Sequence, residues 1–146
     1  MKKLLISLVV AGFVATGAGI APASAEVPAP AAAIESYDTA VSNYESALAT
    51  FVDAGRPKGG FKAVKVAYKA VVKAHKVATR SIGVAFKQGV KAAKVARKAA
   101  VQAATTVEEK KAARAAYNEA VSGLISARDA QLADLGSLPA VPSRKG

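Results

Sequence analysis

The sequence predicts an all-α protein, an antiparallel three-helix arrangement with a long basic central helix, preceded by a cleavable signal peptide. Three observations carry that reading. Apolar residues recur at spacings of three and four through most of the chain beyond residue 30, the period of an amphipathic helix. Helix-stopping punctuation is concentrated at three places, Gly55 to Gly60, Thr105-Thr106 and Gly136, with Ser81-Ile82-Gly83 a further candidate break that the charge pattern argues against. Between the first two, lysines repeat in a helical phase that is never lost.

Residues 1–25 have the three parts of an export signal. Lys2 and Lys3 form a positive start, Leu4 to Ile20 an apolar run, and Ala23-Ser24-Ala25 the small side chains that a signal peptidase accommodates. Cleavage is expected before Glu26. A membrane anchor needs roughly 20 apolar residues. This run is shorter, weakened by Gly12, Gly17 and Gly19, and followed by Pro22. The expected location is therefore secreted, extracellular or associated with the cell surface. Residues 26–30 form an extended leader, because Pro28 and Pro30 fix φ and disfavour helix in the residues before them.

The helical domain is expected over residues 31–136. In the first helix, about 31–54, Ile34, Tyr37, Val41, Tyr44, Leu48 and Phe51 step by 3, 4, 3, 4 and 3 to form one seam. Gly55 and Pro57 stop it. The second helix, about 61–104, contains no proline and is rich in alanine, lysine and valine. Its apolar face runs through Phe61, Val64, Tyr68, Val71, His75, Ala78, Ile82, Phe86, Val90 and Ala93. The third helix, about 106–135, opens on Thr105 and Thr106, each three residues before a glutamate, which is capping-box spacing. Tyr117, Val121, Leu124, Ile125, Leu132 and Leu135 supply its apolar face, and residues 137–146 are expected to be a flexible tail. The segments beginning at Tyr37 and Tyr117 agree at six of eleven positions; this is either the chance similarity of two alanine- and serine-rich helices or a sign of equivalent roles around the central one.

Charge is distributed unevenly. The chain carries +11, or +9 once Lys2 and Lys3 are removed with the signal. Residues 26–53 hold five acids and no Lys or Arg, whereas residues 54–107 hold thirteen cations and no acid. Ten of those cations, Lys62, Lys65, Lys69, Lys73, Lys76, Arg80, Lys87, Lys91, Lys94 and Lys98, fall within an arc of about 80° at 100° per residue. Phase is kept across Gly83, which argues for one unbroken helix of about 60 Å. Such a row of cations attracts polyanions. The expected partners are an anionic envelope polymer, an anionic lipid surface or extracellular nucleic acid. Aromatic residues do not interleave with the lysines, so the stripe offers no base-stacking platform.

Other chemistry is sparse. No cysteine is present, which removes disulfides, thiolate metal sites and thiol nucleophiles. His75 is the sole histidine and sits on an apolar seam beside Lys73 and Lys76, with no carboxylate to orient it as a base. Glu108 and Glu109 are placed as capping acids, and Gly59-Gly60 lacks the spacing of a phosphate-binding loop. The expectation is a non-enzyme with no cofactor, no metal and no small-molecule substrate. Lys91 to Ala100 resembles in composition the lysine/alanine segments of linker-histone tails and of some bacterial heparin-binding adhesins. Those segments are usually interrupted by proline, and this one is not. The alternative role is a structural or interaction module that self-associates or pairs with a partner protein through its seams, the lysines only solubilising it.

Overall fold

The computed structural model describes residues 28–144, and the signal peptide predicted over residues 1–25 lies outside them. Three helices follow in order: α1 Pro30–Asp53, α2 Phe61–Ala103 and α3 Val107–Leu135. Each boundary falls within one residue of its sequence expectation. Among the described residues no strand forms, and no helix is long and apolar enough to cross a membrane.

The punctuation acts as its chemistry requires. Pro30 opens α1, where a missing N–H costs nothing. At its other end the Gly55 N–H donates to the Val52 carbonyl and the Arg56 N–H to that of Phe51, with Gly55 at φ +72°. This paired arrangement needs a left-handed residue after the cap, which glycine adopts without steric cost. Of the two candidate capping pairs before α3, Thr106 and Glu109 form the box. The Glu109 N–H donates to Thr106 Oγ1, and the Thr106 N–H returns to Glu109 Oε2, both at 3.1 Å. The Thr105 N–H also donates to Glu109, at 2.7 Å. Hydrogen bonds from these two backbone N–H groups hold the Glu109 carboxyl below its ordinary pKa.

α2 runs 43 residues without interruption through Gly83, roughly 64 Å. Both neighbours lie antiparallel to it. Along α1, Phe51 meets Phe61, Tyr44 meets Tyr68, and Tyr37 meets His75. Along α3, Tyr117 lies against Arg97, Leu124 against Gly89, and Arg128 against Phe86. The helices do not lie three abreast. α1 covers the first half of α2, α3 covers the second, and the two outer helices scarcely touch.

That division decides where the core sits. Ala33, Tyr37, Tyr44 and Phe51 of α1 pack with Val64, Val71, Ala78 and Ile82 of α2, and Leu135 closes the cluster from α3. Beyond Ile82 no residue of α2 is buried, and Leu135 is the sole buried residue of α3. The distal half is therefore a two-helix hairpin. Burying a large apolar side chain contributes about 1.5–3 kcal/mol, so most of the hydrophobic stabilisation lies between residues 33 and 82.

The first part of residues 137–144, the segment expected to be a flexible tail, lies along α1. Tyr37 Oη donates to the Ser137 carbonyl and Tyr44 Oη to the Ala140 carbonyl, each at 3.0 Å, and Pro139 and Pro142 are half-buried. The cause is the pair of tyrosines on the α1 seam. A buried phenol needs an acceptor, and an extended proline-containing segment offers carbonyls that no helix uses. Just before the N-terminus of α1, the Pro28 carbonyl accepts a hydrogen bond from the buried Ser81 hydroxyl.

Candidate anion-binding face

All ten stripe residues are on α2, and all ten are exposed. From Lys62 to Lys98 they extend about 54 Å along one uninterrupted helix. The reason is geometric. Val64, Val71, Ala78 and Ile82 turn toward the core, and the stripe is centred about 160° round the helix from them. Lysine stems there meet solvent whichever outer helix is packed behind.

Pairing with the acidic first helix is the simplest way such a stripe could be neutralised, and the geometry works against it. Glu35, Asp38, Glu45 and Asp53 are exposed on α1, about 150° from its own buried seam. The two charged faces thus diverge from the helix pair. Among the described residues the ion pair formed is Arg128 with Asp129, at 2.7 Å, and neither belongs to the stripe. Lys65 Nζ lies 5.0 Å from the centre of the Phe61 ring, within cation–π range.

Two concavities occur along this face. One, of about 400 Å³, lies on the first half of α2 and is walled by Lys69, Lys73, Lys76 and Arg80 with Val72 and Val77. The other, of about 530 Å³, spans α2 and α3 and is lined by Lys94, Arg97, Lys98, Val101, Gln102 and Arg114. The stripe expectation omitted Arg97 and Arg114. Arg97 points outside the 80° arc, and Arg114 belongs to a different helix. No sequence spacing links them; the α2–α3 packing does. A margin of exposed valines was also missed: Val66, Val77 and Val95 follow one edge of the stripe, with Val66 and Val95 more than 60% exposed.

The remaining candidates have structural positions. His75 is half-buried, edge-on to Tyr37 at 5.3 Å between ring centres, with Nε2 3.3 Å from the Gly136 carbonyl oxygen. Burial raises the Tyr37 and Tyr44 hydroxyls above their ordinary pKa, helped by the charge of Asp38 for the first and by Tyr68 for the second. Glu109 is occupied by the α3 cap. Comparison of the chain with protein-family models, curated proteins and solved structures finds no match, so a functional reading rests on these residues alone.

Proposed function

We propose that this is an exported cationic binding protein that docks on an anionic polymer or surface through the α2 stripe. One observation carries the reading: ten exposed cations share one face of a single continuous helix, and none is engaged in an ion pair among the described residues. A rigid row of like charges costs repulsion that a flexible surface would relax. An extended polyanion offsets that repulsion and releases its own counterions on binding. Lysines one turn apart act as point charges, so the stripe supplies affinity and alignment rather than recognition of a particular sequence.

Binding to heparin, duplex DNA and anionic vesicles, titrated with salt, tests this. If six stripe residues contact duplex phosphates, log K falls against log salt with a slope of roughly −5. Replacing Lys69, Lys73, Lys87 and Lys91 by Glu abolishes retention on all three supports. Undiminished binding by that variant eliminates the proposal.

One observation favours a second reading. The distal hairpin has no third helix, and Val107, Ile125 and Leu132 are exposed on it. Self-association through that half would complete its core, leaving the lysines as a solubilising face. Sedimentation equilibrium separates the two: a concentration-dependent oligomer unaffected by the four Glu substitutions supports the second reading, and a strict monomer removes it.

A further inference from the structure

Part of the first half of α2 recurs at a shift of twenty-two residues, although Lys62, Lys73 and Arg80 meet Val84, Val95 and Gln102 there. Lys65, Lys69 and Lys76 recur as Lys87, Lys91 and Lys98, and the position of His75 recurs as Arg97. Each of the last two meets a tyrosine from an outer helix. Tyr37 packs edge-on against His75, and the Arg97 guanidinium lies 4.6 Å from the centre of the Tyr117 ring. Tyr37 and Tyr117 are the first residues of the two similar outer-helix segments, so sequence and contact repeat together.

The two places differ in what lies beside them. Next to His75 runs the protein's own chain: the Gly136 carbonyl faces Nε2, and the Ser137 carbonyl takes the Tyr37 hydroxyl. Next to Arg97 the corresponding groove is open, and its charged lining is Lys94, Arg97, Lys98 and Arg114, with no acid among its walls. Glu109, five residues before Arg114, is held by the Thr105 and Thr106 amides. Four cations from two helices thus converge without a counter-charge.

We propose that this α2–α3 groove is a binding site for a tetrahedral oxyanion, a phosphate or sulfate group carried on a polymer. The inference rests on the polyanion reading of the stripe and adds the class of charged group preferred. Guanidinium forks bind phosphate-like groups through paired N–H donors, whereas lysine contributes a point charge. Stacking on Tyr117 occupies the face of Arg97 and leaves its edge N–H groups to donate, a preorganisation that a free arginine lacks. Arg114 brings a second fork from the opposite wall, and Lys94 and Lys98 complete the charge. A tetrahedral group offers oxygens in several directions to donors on both helices; a planar carboxylate offers two. The stripe treats these anions alike, and the groove distinguishes them.

Two measurements on the domain from residue 26 onward, with all three helices intact, test the assignment. Inorganic pyrophosphate is too short to follow the stripe. In ¹⁵N-edited spectra it shifts the side-chain Nε–H signals of Arg97 and Arg114 and leaves those of Arg56 and Arg128 in place. Polyphosphate, dextran sulfate and polyglutamate of matched charge are then compared by calorimetry. Polyphosphate or dextran sulfate binds about tenfold more tightly than polyglutamate, and the tighter of the two names the group. The charge-conserving double variant Arg97→Lys with Arg114→Lys, at two exposed positions, brings all three polymers to within about twofold of one another. Arginine signals unmoved by pyrophosphate, or a preference that survives the double variant, overturns the proposal. Failure of the stripe reading is separately visible: Lys69→Gln with Lys73→Gln would then bind every polymer as tightly as the parent while the pyrophosphate shifts persist.

Discussion

Tyr37 and Tyr44 each bring one polar atom into an apolar seam, and both solve the problem in the same way, by donating to carbonyls 100 and 96 residues away in sequence. Burial favours the neutral phenol and raises both pKa values above 10. The linkage follows in sign. A group whose folded pKa is raised contributes stability that is fully present below its unfolded pKa and is lost as pH rises through the folded value. The domain should therefore keep its stability to about pH 10 and lose it above, as the phenolates form and their hydrogen bonds to the C-terminal segment end. Ultraviolet titration should show Tyr37 and Tyr44 ionising late, and Tyr37→Phe with Tyr44→Phe should remove the late phase. Each substitution should cost about 1 kcal/mol at neutral pH, measured by urea denaturation. Normal ionisation of Tyr37 and Tyr44 would contradict this account.

At the scale of the element, α2 carries two glycines with opposite reasons for being there. Around Gly83 a β-carbon would meet nothing within 4 Å, so the glycine there only weakens the helix. Gly83→Ala should stabilise by about 0.5–1 kcal/mol and raise the thermal midpoint by a few degrees. At Gly89 a β-carbon would come within 2.6 Å of Leu124 Cδ2, because α3 approaches α2 closely there. Gly89→Ala gains the same propensity but must displace that leucine, so its midpoint should fall below that of Gly83→Ala. Calorimetry of the two variants tests the close approach, and equal gains would place α3 farther away. Much of α2 was legible in the sequence: the absence of proline and the constant lysine phase set its length and its continuity through Gly83. Gly89 gave no such signal, since its role depends on Leu124, thirty-five residues on.

For the whole molecule the consequence is uneven strength along one rod. The core cluster lies between α1 and the first half of α2, and the distal hairpin packs largely through alanine and half-buried side chains. Native-state hydrogen exchange should find α2 amides in 64–82 opening only with global unfolding, and those in 86–103 opening at lower free energy. Phe51→Ala should cost about 3–5 kcal/mol and destabilise the entire domain. Leu124→Ala should cost less and accelerate exchange mainly in the distal half. Uniform protection along α2 would show that the hairpin is as strongly held as the core.

The sequence by itself determined the three helices, their ends and the face on which the cations stand. These depend on periodicity, capping residues and side-chain direction, all settled within a few residues of chain. Tertiary structure decided the rest. That α1 and α3 follow one another along α2, that the C-terminal segment lies on the tyrosines, and that Arg97 and Arg114 share a groove are facts about which surfaces meet. Seams of similar width on all three helices permit several pairings, and only packing in three dimensions selects one.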